Sequence, residues 1–293
     1  MNAAVILLLV LKASVMLIVF AIGLKANFSD VTCLFRRPAQ LFRALLSMNV
    51  LMPLIALGLV EGFDLHPAVQ IALIAIAVSP IPPVLPNKAL KAGGQENYTI
   101  GLLVAAAVIS VVVIPLAMEV FEKITSLPLS MRPRAVASTV LTMILIPLLM
   151  GIAVRRLAQT FADRAARLIG LIATVLLALC AIPVLIGEGR PMYSLIGDGT
   201  LASLGAFTLL GLVAGHLLGG PDAENRPVLA IASASRHPAI ALGIAHANFP
   251  EQKLALPAVF LYLIVSAILS AIYLKWVKRG RRKSAPVEKT VEV

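Results

Sequence analysis

Apolar stretches separated by short polar turns run through almost the whole chain, and nine of them approach the length needed to cross a bilayer. A spanning helix needs about 20 residues. The segments fall near residues 3–23, 40–60, 66–86, 98–121, 135–154, 166–186, 200–219, 226–247 and 253–275. This pattern predicts an all-α polytopic membrane protein with nine transmembrane segments.

Two of the nine are not clean. The third contains Ser79-Pro80-Ile81-Pro82-Pro83-Val84-Leu85-Pro86-Asn87-Lys88, and the eighth contains Ser233-Ala234-Ser235-Arg236-His237-Pro238-Ala239-Ile240. Proline removes a backbone donor and clashes with the preceding turn, so these helices must kink or unwind. Freed backbone groups inside a bilayer survive only where protein or a water-filled cavity satisfies them. Interrupted spans at corresponding positions of two chain halves are the sequence mark of a secondary transporter's binding site. Pro80, Pro82, Pro83, Pro86 and Pro238 are therefore predicted helix-break residues.

The two broken segments share more than proline. Each starts after a polar turn with a nearby proline, His66-Pro67 or Arg226-Pro227, and each ends in a polar exit followed by a long unbroken span. Five segments apart, they cross the membrane in opposite directions, which is the arrangement of an inverted repeat.

Composition agrees with the pattern. Of 293 residues, 60% are hydrophobic and 13% charged, against about 25% charged in a typical soluble domain. The net charge of +11 would suggest nucleic acid in a soluble chain. Here the cations lie in short loops and at the C-terminal end, so no nucleic-acid partner is expected. An N-terminus outside and a C-terminus in the cytoplasm put most of the 25 Lys and Arg on the inner face of the cell membrane. Residues 278–293 form a basic cytoplasmic tail that opens with Lys278-Arg279-Gly280-Arg281-Arg282-Lys283 and is predicted to be disordered from about 284. A second reading of that cluster is a site for acidic lipid head groups. Cys33 and Cys180 have no metal or redox spacing and read as packing residues. No pattern specifies an oligomeric state.

The arrangement resembles the bile acid:sodium symporter family. Phe20-Ala21-Ile22-Gly23-Leu24 is similar to the family's Phe-x-x-Gly-Leu element, and the resemblance runs through Leu51-Met52-Pro53-Leu54 and the Ser79-Pro80 break to the eighth segment. It implies a single transporter domain over residues 1–277 with two parts. A core would comprise segments at about 40–121 and 200–275, with the two discontinuous helices crossing at their centres. A panel would comprise segments at about 3–23 and 135–186. Substrate would bind between them, and rocking would give alternating access.

The departures from the family pattern are chemical. The family's first break reads Ser-Pro-Gly-Gly-x-x-Ser-Asn; this chain has Ile81 and Pro82 for the glycines and Leu85 and Pro86 for Ser-Asn. The family's second break reads Glu-x-x-x-Gln-Asn; this chain has Ala232 for the Glu and Arg236-His237 for Gln-Asn. Sodium is a hard cation that needs several oxygen ligands, and nearly all of the family's side-chain oxygens are replaced. No metal or other cofactor is expected, and sodium coupling is not.

What replaces them is cationic. Arg236 and His237 sit at the second break and Lys12 in the first segment, with no Asp or Glu at comparable depth. A charge at that depth marks a functional site by default. Arg236, always protonated, is expected to stand where the family binds sodium. A site with cations and helix N-termini suits a small organic anion. His237 and Lys12 are the candidate proton-coupling groups. Ser233, Ser235, Asn87 and Asn49 complete the candidate substrate-binding or coupling set. The structural alternatives are a carbonyl cap for Arg236, a snorkelling role for Lys12 and an interhelical hydrogen bond for Asn49.

The expected function is secondary active transport of small organic anions. The alternative is a non-transporting membrane sensor or partner subunit that keeps the fold. An enzyme is not expected, because no nucleophile–base pair or carboxylate cluster is present.

Overall fold

A computed structural model of the chain describes residues 3–91, 93–125 and 133–284. Every regular element among the described residues is a helix. In order they are α1 (Ala3–Gly23), α2 (Phe28–Thr32), α3 (Pro38–Leu45), α4 (Met52–Gly62), α5 (Pro67–Val78), α6 (Leu85–Lys91), α7 (Glu96–Thr125) and α8 (Pro133–Val140). Then follow α9 (Ile146–Leu157), α10 (Gln159–Gly187), α11 (Gly189–Ser194), α12 (Thr200–Leu218), α13 (Asn225–Ala234), α14 (Pro238–Asn248) and α15 (Ala255–Ser284). Wider π-helical turns, Leu46–Leu51 and Leu141–Leu145, join α3 to α4 and α8 to α9.

Seven helical segments among the described residues are long and apolar enough to cross a membrane. They coincide with seven of the nine predicted segments. The other two are shorter apolar helices, Leu9–Gly23 within α1 and Pro67–Val78, which is α5. α5 is short because Pro80, Pro82 and Pro83 withhold the donors that would extend it. α10 starts several residues before its predicted segment, and α2 and α11 are short helices in what the sequence presented as polar loops. The basic cluster Lys278–Lys283 is helical, carried on the end of α15. The stretch predicted to be disordered lies, beyond Ser284, outside the described residues.

Burial divides the helices by role. α10 turns Leu168, Leu171, Ile172, Val175, Leu179 and Ile182 outward, an apolar face suited to hydrocarbon rather than water. α5 and α13 are the opposite: nearly every residue from Ala68 to Val78 and from Pro227 to Ala234 is buried. α1 packs along α9 and α10; α5 packs on α4, α14 and α15, and α13 on α12.

Small residues set the closest of these contacts. A Cβ at Gly151 of α9 would run into the backbone of Phe20 and Gly23 in α1, and one at Gly215 of α12 into the backbone of Leu229 and Ala230 in α13. Neither neighbour is a flexible side-chain end that could swing aside. Gly151→Val should therefore lower stability by about 1–3 kcal/mol, the cost of overpacking. Gly205→Ala in α12, where a Cβ meets open space, should raise it by about 0.5–1 kcal/mol. Thermal unfolding of the purified variants in detergent checks both signs.

Candidate functional site where two helix breaks meet

The site follows from where proline leaves carbonyl groups without their helical donors. In an α-helix the carbonyl of residue i accepts from the N–H of residue i+4. Pro80 and Pro83 cannot donate, so Ile76 and Ser79 lose their partners; Pro238 likewise deprives Ala234. Pro53 stands five residues beyond Met48, the spacing of a π-helical bond, so the π-helical turn Leu46–Leu51 leaves the Met48 carbonyl open.

The open carbonyls of Ile76, Ser79, Met48 and Ala234 each find another donor. Ile76 is served locally by the Ser79 N–H and hydroxyl, at 3.2 and 2.9 Å. Ser79 O accepts from Arg236 Nη1 at 3.1 Å, and Met48 O from Arg236 Nη2 at 2.5 Å. The backbone N–H of His237 donates to Pro80 O at 2.7 Å, joining the two breaks directly. Ala234 O accepts from Tyr262 Oη at 2.7 Å and from Ser266 Oγ at 2.8 Å, both on α15. Ser233 Oγ and Ser47 Oγ lie 2.7 Å apart, tying α13 to the π-helical turn.

Arg236 is the centre of this arrangement. It is 1% exposed and the largest fully buried side chain among the described residues. Its planar guanidinium reaches two carbonyls on two different helices, which a lysine ammonium could not fork between. Among the described residues no carboxylate pairs with it. Carbonyl dipoles alone compensate its charge, and Nε has no partner among the described residues. His237, 4% exposed, uses its backbone in the crossing while neither ring nitrogen finds a partner among the described residues. The Ser235 hydroxyl is in the same state.

The predicted residues separate into those the fold gathers and those it does not. Arg236, His237, Ser233 and Ser235 come together with Pro80, Pro82 and Pro83, all buried at the breaks. Pro238 begins α14. Asn87 lies within α6, and its side chain is outside the described residues. Asn49, in the π-helical turn beside Met48, lines an apolar groove between the Pro38–Gly62 segment and α7 instead of joining the crossing. Lys12 is exposed on α1 and belongs to neither the crossing nor the cleft beside it.

That cleft, of about 510 Å3, opens between α1 and α10 on one side and α6 and α7 on the other. Pro86 and Leu90, just after the first break, form part of its wall, and Lys25, Arg167, Glu96 and Thr174 supply its polar groups. Lys25 and Glu96 also border a second, more polar cavity of about 640 Å3 with Asp30, Arg37 and Arg155, so the cleft adjoins a mouth lined by charges of both signs. Sequence reading missed Lys25 and Arg167 because loop-end cations look like topology signals. It also missed Tyr262 and Ser266. Their spacing, four apart on one face of an apolar segment, was the available signal.

A lipid-covered helical bundle, with broken helices meeting at a buried cation beside a charged cleft, has the construction of a secondary transporter. The chain belongs to the sodium bile acid symporter family, whose model matches residues 13–194, and it is accordingly a multi-pass membrane transporter. The matched stretch includes the first break and ends before the second. The chain is also similar to the uncharacterized sodium-dependent transporter YocS of Bacillus subtilis (strain 168), 23% identical over 273 residues, covering 92% of this chain and 83% of that protein.

Tyr262→Phe and Ser266→Ala should each cost about 1 kcal/mol or less, because Ala234 O keeps one donor. The double variant leaves that carbonyl buried and unpaired, and should cost about 1 kcal/mol more than the sum of the two. Thermal unfolding of the three variants measures the excess; simple additivity would mean the two hydroxyls do not share one acceptor.

Proposed function

We propose that the protein is a secondary transporter of small organic anions, working by alternating access in the cell membrane with its N-terminus outside and its C-terminus in the cytoplasm. The observation that carries this reading is the cleft bordered by Lys25 and Arg167 beside a crossing whose one buried charge is the cation Arg236. An anion entering it meets Lys25 and Arg167 on the α1 and α10 side, with a single acid, Glu96, on the opposite wall.

The nine segments then form an inverted repeat with the broken helices as third and eighth. α1, α9 and α10, which pack on one another, make the panel. The remaining spans make the core that holds the crossing. Rocking between the two would open the cleft to alternate faces.

Sodium does not fit the second break. The carbonyl oxygens that could ligate a cation there, those of Ser79 and Met48, accept from Arg236, and a second positive charge beside a buried guanidinium is repelled. The Bacillus subtilis relative is named for sodium dependence; in this chain Arg236 takes the place of the ion as a permanent charge. His237, with both ring nitrogens free among the described residues, is the proton-coupling candidate at the crossing. Lys12 is the one on α1.

Uptake into proteoliposomes, scanning radiolabelled organic anions with sodium and proton gradients imposed separately, tests the reading. We expect uptake of an anion that a sodium gradient does not increase. Arg236→Gln should reduce it at least tenfold, with size-exclusion and thermal unfolding confirming that the variant is folded. A sodium-driven signal would sink the sodium-free mechanism, and full transport by Arg236→Gln would remove the fixed-cation role. Uptake of no anion under either gradient would favour the sensor or partner-subunit alternative.

The cleft makes a separate prediction. Arg167→Gln should raise KM for the anion by about tenfold, the loss of one charge-assisted contact of roughly 1.5 kcal/mol, with thermal stability unchanged because Arg167 is exposed. Unaltered KM would place the substrate elsewhere.

A further inference from the structure

Away from the crossing, α12 and α15 enclose an apolar groove of about 380 Å3 whose walls include Leu212, Val213 and His216 on one helix and Ile272, Tyr273 and Trp276 on the other. The polar groups in the wall satisfy each other: His216 Nδ1 and the Tyr273 hydroxyl are 2.7 Å apart. Trp276 sits edge-on to His216 with ring centroids 5.7 Å apart, and 6.0 Å from Tyr273, so three rings brace one end of the groove. Trp276 is nonetheless 61% exposed.

Charge collects at that same end. The groove-lining positions of α15 recur three and four apart, and three residues past Trp276 the same face carries Arg279. Lys275 and Lys278 flank it, all three are exposed, and α15 stays helical through Ser284. Neither α12 nor α15 contains an Asp or Glu. An apolar slot, an aromatic brace and a cationic end with no ion-pair partner among the described residues thus follow one another along the helix axis, the order of parts in a membrane lipid seen from tail to head group.

We propose that this groove binds an anionic phospholipid of the surrounding bilayer, with an acyl chain between α12 and α15, Trp276 at the head-group level, and the phosphate held by Arg279 with Lys275 and Lys278 beside it. Tryptophan's amphipathic ring favours that level of the membrane, and each cation near an anionic head group contributes enough to favour it severalfold. A second copy of the chain is a poorer occupant. Symmetric contact along α15 would bring two clusters of three cations together.

Trp276 is the only tryptophan in the chain, so its fluorescence reports this groove alone. The full-length protein in mixed micelles is titrated with brominated phosphatidylglycerol or brominated phosphatidylcholine, and quenching is followed. Phosphatidylglycerol should quench with at least about a fivefold preference, the size expected for one cation at an anionic head group. The triple variant Lys275→Ala, Lys278→Ala, Arg279→Ala should bring the preference close to one. Val213→Phe, which narrows the slot from its exposed side, should weaken quenching by both lipids. Equal quenching in the unaltered protein, or a preference that survives the triple variant, overturns the proposal. Undiminished phosphatidylglycerol quenching in Val213→Phe overturns the groove as the seat of the chain and leaves only attraction to charge. Protection from both lipids together with dimers by crosslinking would assign the face to a second copy and overturn it as well.

Discussion

A carbonyl oxygen at membrane depth must have a donor, and the centre of this protein is organised by that requirement. Prolines at the two breaks and at Pro53 remove donors from the helical ladders, and an open carbonyl with no water available costs several kcal/mol. The fold recovers this by bringing the open groups to one another's helices. The guanidinium of Arg236 closes Ser79 and Met48, the His237 N–H closes Pro80, and two hydroxyls of α15 close Ala234. Two breaks that would each be unfavourable alone become mutually necessary when they meet.

A buried arginine is an expensive way to close two carbonyls, since desolvating its charge costs more than desolvating an amide. Three features of the site reduce that cost. The carbonyls it bridges are ones whose helical donors are missing, so both lone pairs face it without competition from a backbone N–H. Its two hydrogen bonds are charge-assisted, and such bonds are about twice as strong as neutral ones. And it holds three segments, the π-helical turn and the two breaks, through one rigid plane. A sodium ion could supply the charge and the bridging but would leave when its gradient fell; the guanidinium is covalently part of α13's end.

Much of this was legible in the chain before any coordinates. The prolines mark the breaks because proline has one effect in a helix whatever its surroundings, and Arg236 stands out because charge at that depth is rare. The fold-level partners were not legible in the same way. Met48 acts through its backbone, which no side-chain pattern reports, and its availability depends on a π-helical turn that Pro53 permits but does not announce. Lys25 and Arg167 lie in loop-flanking positions where membrane topology already accounts for cations, so their place in the cleft emerges only when α1 and α10 are seen packed against α6 and α7. Asn49 is the converse case. Its depth and polarity suggested the site, but helix rotation, which hydrophobic spacing left open in a segment with only scattered polar positions, turns it into the groove beside α7.

The distribution of hydrogen bonds also restricts where motion can occur. Every contact at the crossing is a short, buried bond between segments on the core side of the cleft, and loosening any of them would expose an unpaired carbonyl to hydrocarbon. The cleft walls are different: across the gap between α1 and α10 and the broken helices, the polar groups are charged side chains beside a large open volume, which water can satisfy in any register. A rigid-body shift there breaks no buried backbone bond, whereas the same shift through the crossing would break several at once. The proline breaks are bonded junctions in this structure, although prolines in membrane helices are commonly read as hinges. They tie the crossing segments together by making each complete the other's hydrogen bonds, which gives the rigid half that the proposed rocking requires.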